Sequence, residues 1–170
     1  ENINSKSRQG DRVIADLVSG MGAVVEAGDN SIRVKRGSLN AFRAELADCI
    51  DLLPTAGILA AMATGTSELT GIAAGRIKES DRVAAVKQGL EKLGVQVTEE
   101  EDRLMIRGPA GGHQQVLIDS HDDHRIAMAF GVLGALRGGI VIERAECVAK
   151  TFPNFWDVMK STGVEMEIVT

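Results

Sequence analysis

Three short segments hold most of the residues able to do chemistry: Arg-Ile-Lys-Glu-Ser-Asp-Arg at 76–82, Asp-His-Arg at 123–125 and Lys-Thr-Phe-Pro at 150–153. Each lies just before a stretch with helical apolar spacing. A helix start offers unpaired backbone N–H groups and partial positive charge, so Lys78, Arg82, Arg125 and Lys150 are expected to converge with helix N-termini on one anion. That is phosphate or carboxylate chemistry. Lys78 and Arg82 are four apart and share a face if their helix begins early, while Ser80 and Asp81 are good N-cap types. Glu79, between two cations beside an anion site, can be tuned as a proton donor or acceptor. The plainer alternative is a capped helix with surface ion pairs. Asp51, before Leu52-Leu53-Pro54 and a wholly apolar helix, is a second candidate base at the same edge of the domain.

The run 120–125, Ser-His-Asp-Asp-His-Arg, raises a metal reading, with His121 and His124 at i, i+3 and aspartates between them. No third ligand with sensible spacing stands out, and His113 lies in a Gly-rich turn, so no metal is expected. The other functional reading has His124 and Arg125 opening a buried helix toward an anion; the plain one is a capping aspartate beside a surface histidine. At the third segment Thr151 is a plausible cap and Pro153 fits a first helical turn.

These side chains need elements to hold them. From Ser80 the apolar positions Val83, Val86, Leu90 and Leu93 predict a helix that Gly94 ends. Val95 and Val97 then alternate with polar residues, a charged turn runs over 99–103, and Leu104-Met105-Ile106 gives a second strand. The same order is predicted earlier, with a helix over 11–21 ended by Gly22, a strand at 23–26, a turn at 28–30 and a strand at 31–34. It is predicted again at the end, with a helix over 153–162 ended by Gly163 and a strand over 164–169. The three glycines lie about 70 residues apart, the mark of an internal repeat. Two further apolar helices, 54–64 and 125–137, are each expected to lead through a small-residue turn to a short strand, 140–142 in the second case. The fold class is therefore α/β (α+β), one domain over 1–170, with helices buried between sheets.

Composition narrows the partners. The chain has 170 residues, 44% apolar and 25% charged, with a net charge of −5 and only 3% aromatics. Neither a nucleic-acid surface nor a membrane surface is expected, and the partner should be small. No apolar stretch is long enough to span a bilayer. Cys49 and Cys147 are far apart and read as reduced, buried thiols, which makes the cytoplasm the expected location. The opening Glu1 and polar run to Gln9 suggest part of something longer. Dinucleotide and P-loop signatures are absent.

Taken in order, the motifs resemble the C-terminal domain of the 5-enolpyruvylshikimate-3-phosphate (EPSP) synthase family. The family's S-x-Q-G-D, helix and M-G-A look like 7–11 through 21–23, its R-[IV]-K-E-[ST]-D-R is 76–82, its D-H-R-[IM]-A-M is 123–128 and its K-T-[FY]-P is 150–153. The resemblance implies repeated βαβαββ units forming one of two similar domains that close over the substrates. It implies transfer of the enolpyruvyl group of phosphoenolpyruvate to the 5-hydroxyl of shikimate 3-phosphate, through a tetrahedral intermediate, with release of phosphate. No cofactor and no metal are implied.

By the same resemblance, Asp51 of the D-x-x-P start accepts a proton and contacts the shikimate hydroxyls, and Glu79 handles the proton at the enolpyruvyl methylene. Lys78 matches a ligand of the sugar-like substrate and the transferred group. Arg82, Arg125 and Lys150 match the phosphoenolpyruvate clamp, with His124 beside them. Some family members carry an asparagine where this chain has Ala74. The missing N-terminal domain would supply the serines and arginine for shikimate 3-phosphate, so the chain alone is expected to be inactive. Alternatives are the sister transferase acting on UDP-N-acetylglucosamine and a non-catalytic anion-binding module.

Overall fold

Left-handed glycines punctuate the chain where the repeat places them: Gly22, Gly94 and Gly163 have φ of +110°, +77° and +90°. No Cβ opposes that conformation in glycine, so each ends a helix at low cost. The computed structural model describes residues 7, 9–111 and 114–167. A short 3₁₀ turn, Gly10–Arg12, runs into α1 (Val13–Gly20), followed by the antiparallel hairpin β1 (Val24–Ala27) and β2 (Ile32–Lys35). The corresponding elements further on are α3 (Arg82–Lys92), β5 (Gln96–Glu100) and β6 (Arg103–Gly108), whose hairpin is also antiparallel.

The other half of the repeat is a parallel strand pair joined by a helix. Strand β3 (Arg43–Glu45) pairs in parallel with β4 (Gly65–Thr70) across α2 (Leu53–Met62), and β7 (Val116–Asp119) with β8 (Ile140–Glu143) across α4 (His124–Arg137). In the middle of the chain the two halves fuse, because β4 also pairs antiparallel with β6, giving the order β3-β4-β6-β5. One βαβαββ unit is thus complete.

Helices α2 and α4 show no polar face, as their sequences anticipate. Leu53, Ala56 and Ala60 of α2, and Ile126, Phe130 and Leu133 of α4, are buried together with Leu69, Leu104 and Ile106 from the four-stranded sheet. Contact between α3 and α4 is close at Gly89, where an added Cβ would collide with the ring of buried Phe130. Gly89→Ala is therefore expected to destabilise the chain by about 1–3 kcal/mol through overpacking, measured by urea unfolding. No change would show that α3 can shift away from α4.

Two expectations need correction. Residues 164–167 form no strand, and the rest of the predicted strand, 168–169, lies outside the described residues, as do Arg8 and His113. The last helix, α5 (Phe155–Ser161), starts later than predicted, with Asn154 rather than Thr151 at its N-cap and Pro153 ahead of it. Phe155 instead anchors it by packing into a small cluster with Ala127, Cys147 and Val148. Among the described residues no helix is long and apolar enough to cross a membrane.

Candidate functional site

Packing of α2, α3 and α4 against one another brings their starts together, and every candidate residue except Lys150 lies at or just before those starts or in their first turn. Asp51 belongs to a 3₁₀ turn, Ala47–Leu52, whose Cys49, Ile50 and Leu52 are buried and hold the turn onto the core. Its side chain is left 38% exposed at the rim. Lys78 and Glu79 fall between another 3₁₀ turn, Ala73–Ile77, and α3. Lys78 is extended, and α3 starts only at Arg82, with Asp81 capping it by accepting a hydrogen bond from Ala84 N at 2.9 Å. Lys78 and Arg82 therefore share no helix face, contrary to the four-residue spacing argument, yet both reach Asp51.

Asp51 is the node of the site. Its Oδ1 lies 2.7 Å from Arg82 Nη1 and 3.6 Å from Lys78 Nζ, and its Oδ2 lies 3.1 Å from Arg125 Nη2. Beneath it is a second carboxylate, Asp123, wholly buried: Oδ2 accepts from Arg82 Nε at 2.7 Å and Ser80 Oγ at 3.0 Å, Oδ1 from Arg82 Nη2 at 3.3 Å and Arg125 N at 2.9 Å. The last contact caps α4. Glu79 Oε2 lies 3.0 Å from Nδ1 of His124, which is buried rather than a surface histidine.

The third segment is tied in through Asp122. Lys150, the last residue of the 3₁₀ turn Ala145–Lys150, donates to Asp122 O at 2.5 Å and Oδ2 at 3.0 Å. It thus does not share the partner of the other cations. His121 and Asp122 have φ of +53° and +57°, a left-handed pair of non-glycine residues. Such backbone costs of order 1–3 kcal/mol per residue and persists only when over-determined. Asp119 Oδ1 accepts from His121 N at 2.6 Å and from Arg144, and Ser120 Oγ accepts from Asp122 N at 3.2 Å. The bend aims Asp123, His124 and Arg125 at the start of α4.

Electrostatics follow from this wiring. Burial pushes the Asp51 carboxyl up, but Arg125, Arg82 and Lys78 together bring it below the usual carboxylate range. Asp123 likewise is pushed up by burial and brought down further by Arg82, Arg125 N and Ser80. Burial lowers the Arg82 guanidinium, but its two aspartates outweigh that and raise it, and the hydrogen bond to Asp122 raises Lys150. Burial raises both cysteine thiols. Because the folded pKa values of both aspartates are depressed, their contribution to stability is present above the unfolded value of about 3.9 and is lost as pH falls through the lower folded values. Urea midpoints are expected to hold from pH 7 to about 5 and to drop steeply below about 4; Asp123→Asn should flatten that drop, and an unchanged acid limb would place its origin elsewhere.

Glu79, Asp123 and His124 bring ligand-type atoms within 4.8 Å of one another, a different set from the His121 and His124 pair the sequence raised. His121 faces Asp119 at 3.7 Å instead. The positive charge beside Asp123 comes from Arg82, and both its oxygens are engaged by the protein's own donors. The structure thus brings Asp51, Lys78, Arg82 and Arg125 onto one node, joins Glu79 to His124, and sets Lys150 on Asp122. Sequence reasoning offered a capping aspartate only as the plain reading of 120–125, and missed the buried pairing of Asp123 with Arg82. Arg76 turns away, donating to Glu99, Glu100 O and Glu101 O.

Comparison with known proteins gives a consistent result. The family model described as EPSP synthase (3-phosphoshikimate 1-carboxyvinyltransferase) matches residues 1–159. Proteins named 3-phosphoshikimate 1-carboxyvinyltransferase from Dehalococcoides mccartyi (strain 195) and Methanosphaera stadtmanae are 50% and 45% identical, over 95% and 97% of this chain. The chain spans 38% of the length of each. The EPSP synthase of Acinetobacter baumannii superposes with a TM-score of 0.79 at 32% identity, over 91% of this chain and 39% of that one. The enolpyruvyl transferase NikO of Streptomyces tendae, at 19% identity over 92% of this chain and 37% of that one, shares the fold with a TM-score of 0.70.

Proposed function

Because the chain belongs to the EPSP synthase (3-phosphoshikimate 1-carboxyvinyltransferase) family, we propose that its three motifs form one half of a site that transfers the enolpyruvyl group of phosphoenolpyruvate to the 5-hydroxyl of shikimate 3-phosphate. The observation that carries this is the convergence of Lys78, Arg82 and Arg125 on Asp51, with Glu79 and His124 alongside. Arg82, Arg125 and Lys150 bind the carboxylate and phosphate of phosphoenolpyruvate, anions that planar guanidinium groups engage bidentately. Lys78 contacts both substrates.

The 5-hydroxyl oxygen adds to C2 of phosphoenolpyruvate while Asp51 takes its proton and Glu79 protonates C3, giving the tetrahedral intermediate. Phosphate then leaves C2 with the C–O bonding electrons and takes up the proton that Asp51 had accepted, while a C3 proton returns to Glu79 and the enol double bond is restored. Fixed cations around the departing phosphate stabilise the charge that develops there. His124, within 3.0 Å of Glu79, orients that carboxylate. The rest of a family-length protein supplies the remaining contacts to shikimate 3-phosphate, and the reaction takes place where the two halves meet.

Glu79→Gln in the full-length protein is expected to lower kcat by about 10²–10⁴-fold with both KM values little changed. In deuterated water it should also lose exchange of the phosphoenolpyruvate methylene protons, read by proton NMR. Unchanged turnover would mean that Glu79 moves no proton and would favour a site that only binds anions.

A further inference from the structure

We propose that Asp123 is a positioning residue of this site, which fixes the plane of the Arg82 guanidinium and thereby sets the geometry of the anion clamp. The inference rests on the catalytic reading above and deepens it. Asp123 is fully buried and cannot touch a substrate, so whatever it does passes through its partners. It grips Arg82 side-on, from Nε at 2.7 Å and Nη2 at 3.3 Å, while Arg82 Nη1 reaches Asp51 at 2.7 Å. An arginine has five N–H donors in one rigid plane; these contacts use three and leave two, one on each terminal nitrogen. A planar fork meets an oxyanion well only if that plane is held.

Asp51 cannot hold it alone. It is part-exposed, bonds a single Arg82 nitrogen, and is shared with Lys78 and Arg125. Asp123 also accepts from Arg125 N and Ser80 Oγ, so one carboxylate sets the Arg82 side chain of the first motif against the backbone that carries Arg125 in the second. The competing role is purely structural, an ion pair and helix cap with no bearing on substrate geometry. The two roles differ in which kinetic constant they move.

The test compares Asp123→Asn with wild type in the full-length protein. The expected result is a KM for phosphoenolpyruvate raised on the order of 10- to 100-fold, with KM for shikimate 3-phosphate nearly unchanged. In an Arg82→Lys background Asp123→Asn should add little more, because both changes act on one group. Constants that move together, do not move, or change additively would overturn the proposal. If Asp123→Asn does not fold, Ser80→Ala decides: a smaller rise confined to phosphoenolpyruvate supports the proposal, and none overturns it. A folded wild-type protein without turnover would sink the catalytic reading instead. Calorimetric phosphoenolpyruvate binding then decides the proposal, with at least tenfold weakening in Asp123→Asn supporting it and unchanged affinity overturning it.

Discussion

Asp51→Ala in the full-length protein is expected to lower kcat by about 10²–10⁴-fold while leaving KM for phosphoenolpyruvate level or lower. The rate loss follows from removing the group proposed above to take the hydroxyl proton. The effect on binding follows from the charges around it: Arg82, Lys78 and Arg125 lie 2.7, 3.6 and 3.1 Å from its oxygens. Without the carboxylate, Lys78 and Arg125 lose their acidic partner and Arg82 keeps only Asp123, so the site is more positive and an anion should bind no worse. Steady-state kinetics with each substrate varied separately measures the split between kcat and KM. A rise in KM for phosphoenolpyruvate with kcat intact would mean that Asp51 organises the cations rather than takes a proton.

The largest stability effect should come from the pair beneath it. Asp123→Ala leaves Arg82 almost buried, with side-chain exposure of 3%, opposite an empty place where a wholly buried carboxylate stood. Removing one partner of a buried ion pair typically costs about 3–5 kcal/mol, because the other charge stays desolvated. The α4 cap and the Ser80 contact are lost with it. Replacing both residues with apolar ones of similar size should cost much less than the single change, since no orphan charge remains. Urea unfolding of the chain checks both variants. A loss under about 1 kcal/mol for Asp123→Ala would show that water reaches Arg82 and that the pair behaves as a surface bridge.

Much of the fold was readable because its signals are local. The apolar spacing from Val83 to Leu93 and the left-handed Gly94 bracket α3, and the absence of any polar face in 54–64 and 125–137 marked α2 and α4 as buried. Strand β3 was not readable, since Arg43-Ala44-Glu45 is three residues long with two charges, and pairing with β4 rather than side-chain pattern makes it a strand. Strand β7 was missed as well: Val116, Leu117 and Ile118 form an apolar run without alternation, as suits a strand whose backbone pairs in parallel with β8.

The site divides the same way. Residue types and motif order pointed to Asp51, Lys78, Glu79, Arg82, His124, Arg125 and Lys150, and the structure gathers them at the starts of packed helices or beside them. What sequence spacing could not convey is who pairs with whom over 28 to 74 residues. Arg82 bridging Asp51 and Asp123, and Lys150 held by Asp122 rather than at a helix start, depend on how α2, α3 and α4 pack. Asp123 does cap α4, and only its burial against Arg82 prompts the positioning role proposed for it.

The most direct test is phosphate release from phosphoenolpyruvate plus shikimate 3-phosphate, measured with this chain alone and then with the remaining part of a family-length protein added. The expected result is no turnover alone and turnover on mixing, abolished by Asp51→Ala. Full turnover by the chain alone, or none on mixing when both parts are folded and associated, would contradict a site built from two halves around Asp51.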